Sequence, residues 1–388
     1  MSKKIIERRK ASANVPEKNR ASIANLEPKQ KRSAVKGILL AIVVLIAIVA
    51  LLFVVINAFI DNISKSISPS GSYKDTPPTV AKETLEKYKQ NNPMYNGTAE
   101  GYTEYDKVAL LASNNHSSVV NAIIDEVNVF NYAMYGVENT NPNSPSVDMI
   151  VIASINKDTN KLTYVLLDST SLVYIPYANV IGPLKDAYNF GGANLLSRTI
   201  AQNFGIDIDG YVDMKLDGAA DMVDAVATDG IAIAMSDAEY EDFKQAISDY
   251  SERFGKEVLA PEKKGETVTM NGIQTLAYIR GIAADRETAV FNVLAAITKE
   301  AIKGGIKGVT TLTEKLSDNA TTSTEADDFA SLLQIAVKTT GDALANDMTT
   351  LNLGKDAKTV VRYQGCTFAT YSDYSKLVSE LESALYGE

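Results

Sequence analysis

One cysteine and one histidine are present among the 388 residues, so the chemistry open to this chain is narrow. The lone cysteine, Cys366, forms no intrachain disulfide and supplies no cysteine-rich zinc site. The single histidine, His116, excludes metal sites built from several histidines, and a Ser-His-Asp system would have to use it. It lies in the stretch SNNHSS, which is typical of a polar turn. We therefore do not favour a Ser-His-Asp system.

Three aspartates, Asp207, Asp209 and Asp213, fall close together in the stretch GIDIDGYVD. Clustered carboxylates are the ligands that hard cations such as Mg²⁺ and Ca²⁺ prefer. The same pattern fits a solvated turn followed by the edge of a strand, and this second interpretation is the one we favour.

A helix predicted to begin near Arg286 has features of an anion site. Asp285 is placed to cap that helix, and a helix N-terminus attracts anions. Arg286 in the first turn is unfavourable there unless an anion, or Asp285 itself, pairs with it. The same helix carries an apolar stripe that either lines a channel for an isoprenoid chain or is plain core. The stripe consists of Ala289, Val290, Val293, Leu294 and Ile297.

Two large classes of ligand are not indicated. Neither G-x-x-x-x-G-K-[ST] nor G-x-G-x-x-G occurs, which leaves nucleotide-binding loops without support. The net charge of the chain is −10, and this argues against nucleic-acid binding because phosphate contacts need clustered cations.

Strands and helices interleave over most of the chain, which predicts an α/β layered domain. Alternating or continuous apolar runs predict strands at 128–136, 148–155, 162–167, 211–216, 230–235, 275–279 and 359–363. Helical periodicity predicts helices at 80–90, 193–203, 219–227, 237–247, 286–302, 326–337 and 374–385.

An uncharged stretch of 24 residues at 37–60 predicts one transmembrane helix, because about 20 residues suffice to cross a hydrocarbon core roughly 30 Å thick. Residues 1–36 contain eleven Lys or Arg and three Glu, which places the N-terminus in the cytoplasm. A cleaved signal peptide is the alternative, but its apolar region would be only about 7–15 residues long. We predict an uncleaved signal anchor and an extracytoplasmic part, 61–388, with a net charge of −18.

The predicted organisation has five segments. They are a basic cytoplasmic tail at 1–36, the transmembrane signal-anchor helix at 37–60, an extracytoplasmic linker with a short helix at 61–105, an α/β domain at 106–340, and a C-terminal strand and helix extension at 341–388 packed on that domain.

Four stretches together carry a resemblance to a known family. They are FNYAMYGVEN at 130–139, VDMIVIASINKDTNKLTYVLLDSTSLVYIP at 147–176, DAYNFGGANLLSRTIAQNFGIDIDGYVDMKLDG at 186–218 and MNGIQTLAYIRG at 270–281. In order and spacing they resemble the LytR-CpsA-Psr family of membrane-anchored cell-envelope proteins. The resemblance implies an α/β/α sandwich with a central mixed sheet, a lipid-binding tunnel and magnesium at a pyrophosphate site.

The resemblance also implies a function. Family members are similar in moving a polyprenyl-diphosphate-linked glycopolymer, such as a teichoic acid or a capsular polysaccharide, onto peptidoglycan in Gram-positive bacteria. The implied partners are that donor, peptidoglycan and membrane lipid, with no nucleic acid. Carried over by position, Glu138 and Asp148 would hold Mg²⁺ and act as the catalytic carboxylates. Arg198, Arg280 and Arg286 would hold the diphosphate, because the guanidinium group grips phosphate oxygens in pairs.

Several positions depart from the family pattern. Ser146, Ser169, Ile282 and Ala289 stand where the family has arginines, and Val290 stands where it has a glutamine. Losing a charge-assisted contact to phosphate costs roughly 1.5–3 kcal/mol. The alternative function is therefore a non-catalytic protein of this fold that binds polyprenyl phosphate lipid or acts as an envelope scaffold.

Most of these site residues also have a purely structural interpretation. Asp148 would be a strand-end carboxylate in solvent, and Glu138 would be an ordinary residue of a polar loop. Arg280, at the end of a predicted apolar strand, would form a structural salt bridge. Arg198 would lie on the solvated face of an amphipathic helix.

Overall fold

The structure is a computed structural model of the chain. It describes residues 73–91, 128–138, 146–156, 158–159, 161–255, 257–281, 286–305, 307–308, 311, 314–315, 320–323, 349–354, 358–363, 366–371 and 374–386. The predicted span at 37–60 and the predicted helix at 326–337 lie outside these residues. Inside them, no helix combines the length and the apolar character needed to cross a membrane.

Helices and strands alternate along the described chain. The helices are α1 (Lys82–Asn91), α2 (Asp186–Phe204), α3 (Leu216–Val226), α4 (Asp237–Phe254), α5 (Gly272–Gly281), α6 (Arg286–Lys303) and α7 (Tyr374–Tyr386). The strands are β1 (Val129–Glu138), β2 (Ser146–Asn156), β3 (Lys161–Leu167), β4 (Leu172–Ile175), β5 (Val180–Pro183), β6 (Gly210–Lys215), β7 (Ile231–Ala234), β8 (Lys263–Lys264), β9 (Thr267–Met270), β10 (Ala320–Thr322), β11 (Thr349–Asn352), β12 (Lys358–Tyr363) and β13 (Cys366–Tyr371).

A mixed sheet of six strands, in the order β10-β6-β1-β2-β3-β11, forms the centre of the fold. Strand β1 is parallel to β6, and β3 is parallel to β11, whereas β2 is antiparallel to both of its neighbours. Strands β1, β3, β6 and β11 therefore all end at one edge of the sheet, which we call the carboxyl edge. The predicted mixed α/β fold with a central mixed sheet is confirmed.

Helices cover both faces of this sheet because the side chains of β2 alternate between two apolar clusters. Ile150 and Ile152 face a cluster that includes residues of α2 and α7. Val151 and Ile155 face the opposite cluster, which includes Val290 of α6. Burial on both faces explains why β2 is almost continuously apolar rather than half polar.

A second core lies beside the sheet and is built from α3, α4, α5, α6 and the small sheet β7-β9-β8. Helix α6 contributes to two clusters. Ala289, Val293 and Ile297 belong to this second core. Val290 belongs to the cluster on the central sheet, and Leu294 packs against that cluster. The apolar stripe predicted on this helix is thus packed against protein side chains along its length.

One predicted element is wrong. Residues 275–279, predicted as a strand, lie inside helix α5. The helix start is capped reciprocally: the Asn271 side chain accepts from the Gln274 backbone N–H, and the Gln274 side chain accepts from the Asn271 backbone N–H, each at 2.9 Å. This exchange satisfies two backbone donors that a helix start leaves without intrahelical partners.

Candidate functional site

Two predicted site residues lie at the carboxyl edge of the sheet. Glu138 is the last residue of β1 and is paired with Ser146, the first residue of β2. The pairing register shifts between Gly136 and Val137: Gly136 pairs with Met149, whereas Val137 pairs with Val147. Asp148 is the extra residue of this β-bulge, a feature that often redirects a side chain at a functional site. The structure describes the backbone of Glu138 but not its side chain.

Asp148 is half-buried rather than fully solvated. Its Oδ1 atom accepts a hydrogen bond from the Ser146 hydroxyl at 3.2 Å. Ser146, which stands at a position of a family arginine, therefore contacts the carboxylate directly. The serine gives the carboxylate a neutral hydrogen bond in place of the ion pair that an arginine could form.

Magnesium is the cofactor that the family resemblance implies for these carboxylates. Over the described part of the chain, no group of three or more His, Cys, Asp or Glu residues is arranged to hold a metal. Magnesium is usually held in enzymes by only one or two carboxylates, together with water and substrate phosphates. Asp148 and Glu138, which lie on paired strands at this edge, are of the residue type that could supply such ligands.

The arginines Arg280 and Arg286 belong to consecutive helices. Arg280 is the penultimate residue of α5, so the prediction that it ends a strand is wrong, and Arg286 is the first residue of α6. Their side chains lie outside what the structure describes. Ile279, next to Arg280, packs on the cluster that also contacts Met149, the residue after Asp148. The end of α5 therefore packs on the same apolar cluster as Met149 of strand β2.

Arg198 was predicted either to hold the diphosphate or to lie on a solvated helix face, but it contacts other parts of the protein. Its Nη2 atom donates to the carbonyl oxygens of Tyr73, Lys74 and Thr76 at 2.8, 2.9 and 3.2 Å. The guanidinium also lies 5.7 Å from the ring centroids of Tyr73 and of Tyr177. These contacts favour a structural clamp that holds the segment before α1 onto α2. We therefore do not assign Arg198 to the diphosphate.

The three clustered aspartates are likewise engaged with the protein. Asp207 pairs with Lys74 at 2.5 Å, and Asp209 accepts from the backbone N–H of Asn131 at 2.7 Å. Asp213 accepts from the Tyr188 hydroxyl at 2.6 Å. This arrangement agrees with the favoured interpretation as a turn and strand edge.

A third carboxylate at the carboxyl edge, Asp168, was not assigned to the site from the sequence. Asp168 directly follows β3, and its Oδ2 atom is 2.6 Å from the Nζ atom of Lys358. Burial raises the pKa of the Asp168 carboxyl, but hydrogen bonds from Lys358 and Thr170 outweigh that effect and hold the pKa below its ordinary value. The carboxylate is therefore charged at neutral pH. Its partner is 190 residues away in sequence, so no local pattern could have predicted the pair.

Another carboxylate, Asp186, lies beside the same loop. Asp186 begins helix α2, and the backbone N–H of the preceding Lys185 donates to the Ser169 carbonyl oxygen at 2.9 Å. Burial raises the pKa of the Asp186 carboxyl to about 6, although Lys185 and Asn189 lower it in part. The only sequence signal for Asp186 is its place at the start of the stretch DAYNFGG, which belongs to the family resemblance.

A family model, that of the LytR_cpsA_psr family, matches residues 94–376. Biofilm regulatory protein A of Streptococcus mutans serotype c is 27% identical over 169 residues, which are 41% of this chain. The chain spans about two fifths of that relative's length, with 39% matched.

Solved structures are similar in fold. Protein gbs0355 of Streptococcus agalactiae gives a TM-score of 0.54 at 20% identity, over 66% of this chain and 88% of that one. Bacillus subtilis TagT gives 0.51 at 17% identity, over 69% and 96%. TagT with bound octaprenyl pyrophosphate lipid gives 0.50 at 16% identity, over 69% and 95%. At these identities the likeness establishes the fold alone. Because the family model covers well over half of its residues, the chain belongs to the LytR_cpsA_psr family.

Proposed function

We propose that this protein is a membrane-anchored extracytoplasmic transferase. It moves a glycopolymer of the teichoic acid or capsule type from a polyprenyl-diphosphate donor onto peptidoglycan in a Gram-positive envelope. The observation that carries the proposal is the bulged strand pair at the carboxyl edge, with Asp148 beside Glu138. The fold that carries this strand pair is similar to that of TagT, a protein solved with bound octaprenyl pyrophosphate lipid.

The reaction that we infer forms a phosphodiester. A hydroxyl oxygen of the acceptor bonds to the phosphorus that carries the glycopolymer, and the bond from that phosphorus to the polyprenyl phosphate breaks. Polyprenyl phosphate leaves, and a carboxylate at the edge accepts the hydroxyl proton. Mg²⁺ held by Asp148 and Glu138 would supply neutralising charge to the phosphate oxygens.

Arg280 and Arg286 are the residues that we assign to the diphosphate. Each guanidinium group presents paired N–H donors that match phosphate oxygens. Arg286 begins helix α6, where an anion also meets the backbone N–H groups of the first turn. A bound diphosphate would thus offset the cost of placing a cation at that helix start.

The membrane anchor is part of this proposal. The uncharged stretch at 37–60 and the basic segment before it support a single span with the N-terminus in the cytoplasm. Such an anchor would hold the site near lipid-linked donors, whose polyprenyl chains lie in the bilayer.

Binding without transfer is the second candidate function. It is favoured by the burial of Ala289 and Val290, which are 1% and 2% exposed. These positions are filled with apolar core, so the arginine and glutamine of the family pattern have no counterpart on this turn of α6. Ser169 likewise places no charge in the loop after β3.

A turnover assay tests the transfer. The full chain would be incubated with a synthetic polyprenyl-diphosphate disaccharide, Mg²⁺ and peptidoglycan fragments, and released polyprenyl phosphate would be measured. We expect Asp148→Ala and Arg280→Ala each to lower the rate at least about 100-fold, because each removes charge stabilisation of several kcal/mol. Asp158→Ala, in the exposed turn between β2 and β3, should retain the rate.

Two results would count against the proposal in different ways. A wild-type chain that binds the donor without releasing polyprenyl phosphate would support the second candidate. A chain that neither binds nor releases it would overturn both.

A further inference from the structure

The loop that follows β3 is located next to the proposed catalytic carboxylates. Leu167, the last residue of β3, pairs with Ile150 of β2, and β2 runs antiparallel to β3. Asp168 therefore continues past that pair in the direction of Asp148, at the carboxyl edge. The loop itself reads DSTS at 168–171 and contains no cation. Any positive charge at this point must come from another part of the chain.

The C-terminal hairpin β12–β13 supplies that charge. The backbone N–H of Ala369 donates to the Thr170 carbonyl oxygen at 3.0 Å, and Ser171 Oγ lies 3.0 Å from Tyr371 Oη. Both Ser171 and Tyr371 are buried, so the hairpin is firmly attached to the loop. Lys358 is the first residue of β12 and reaches Asp168 from this docked position.

Asp168 is held in a fixed orientation that directs Lys358. Its Oδ1 atom accepts from both the backbone N–H and the hydroxyl of Thr170, at 2.8 and 2.6 Å. Oδ2 is therefore turned towards the ammonium group at 2.6 Å. The Lys358 side chain is 25% exposed, so the pair is not sealed from solvent.

We propose that Lys358 is a phosphate-binding residue of the donor site and that Asp168 is its positioning residue. This inference rests on the proposed function. An ammonium group is a compact, strongly hydrated point charge suited to phosphate oxygens. The carboxyl edge already carries Asp148, Asp168 and Glu138, and an incoming diphosphate needs cations there to offset that repulsion.

The experiment compares two ligands that share an apolar tail, farnesyl diphosphate and farnesol. Their dissociation constants would be measured by equilibrium dialysis with the full chain in detergent, against detergent blanks. We expect Lys358→Met to weaken farnesyl diphosphate binding about tenfold and to leave farnesol binding unchanged. Lys358→Arg should restore most of the lost affinity, because it restores the charge.

A matched control is available in a second lysine–aspartate pair. Lys263 pairs with Asp237 at 2.5 Å, beside a polar cleft of about 550 Å³ at the start of α4. We expect Lys263→Met to change neither dissociation constant. Thermal unfolding of all three variants would be recorded, so that a loss of folded protein is recognised.

Three outcomes would overturn the inference. It fails alone if the wild-type chain prefers farnesyl diphosphate to farnesol and Lys358→Met keeps that preference. It also fails alone if Lys358→Met weakens both ligands equally, because the pair would then be purely structural. If the wild-type chain does not prefer farnesyl diphosphate to farnesol, both this inference and the proposed function fail.

Discussion

Asp186 joins a buried carboxyl to the start of helix α2, and this combination makes the stability of the protein depend on pH. Burial raises its pKa from an ordinary value of 3.8 to about 6. The folded chain therefore binds this proton more tightly than the unfolded chain does. Between about pH 4 and pH 6 the folded state holds more protons, so this group's contribution to stability falls as pH rises through that window. Above about pH 6 the full cost of the buried charge is present.

Replacing this carboxyl by its neutral isostere should remove the cost. We expect Asp186→Asn to raise the free energy of unfolding by about 1–3 kcal/mol at pH 8, and by much less at pH 4. Urea unfolding followed by circular dichroism at both pH values measures the difference. The exposed Asp221→Asn serves as control and should show no such pH dependence. An equal stabilisation at both pH values would contradict the assigned pKa.

The residues of the site differ in how far the sequence could predict them. Asp148 and Glu138 adjoin the ends of strands that have strong apolar patterns, so their place at the edge of a sheet was predictable. The clamp of Arg198 was not, because its acceptors are backbone carbonyl oxygens more than 120 residues earlier. Lys358 was missed for the same reason, since its partner follows a strand that is remote in sequence.

Among the elements, helices α3 and α5 meet at an unusually close contact. A Cβ atom added to Gly272 would lie 2.0 Å from the Ala220 carbonyl oxygen and 2.6 Å from its carbonyl carbon. Both atoms belong to backbone, so no side chain can rotate away to make room. The Gly272 N–H also donates to Asp224 Oδ1 at 2.6 Å, which ties the two helices together.

A single methyl group should therefore separate these helices. We expect Gly272→Ala to lower the free energy of unfolding by more than about 2 kcal/mol, as overpacking against backbone does. Gly265→Ala is the comparator, because Gly265 has φ of 64° with no atom within 4 Å of the added Cβ. It should cost only about 1 kcal/mol, from backbone strain. Equal losses in urea unfolding would show that the helix contact tolerates the methyl group.

Sequence patterns recovered the long elements of the fold better than the short ones. The strands predicted at 128–136, 148–155 and 162–167 correspond to β1, β2 and β3, because buried strands leave long apolar runs. Strands β4, β5, β8, β9, β10, β11 and β13 were missed. Most of them are two to four residues long, too short to show a period. The error at α5 arose because Thr, Tyr and Ile favour strands, while capping by Asn271 and tertiary packing favour the helix.

On the scale of the whole molecule, the fold is completed by the C-terminal elements β11 and α7. Strand β11 pairs with β3 and supplies the last strand of the central sheet. Leu377, Leu381 and Leu385 of α7 are buried in the same cluster as β1 and β2. The C-terminal segment thus covers one face of the sheet and also brings Lys358 to the carboxyl edge.

Removing this segment should abolish cooperative folding of the domain. A chain that ends at residue 340 loses one strand of the sheet and three buried leucines. Each leucine is worth about 2–5 kcal/mol by analogy with truncation to alanine, and the total stability of a domain is only about 5–15 kcal/mol. We expect no cooperative thermal transition by circular dichroism, and rapid digestion by trypsin. A chain that ends at residue 386 retains α7 and should unfold as the full chain does. If the chain that ends at 340 unfolded cooperatively at an unchanged temperature, the buried contacts of α7 and β11 would contribute nothing to stability.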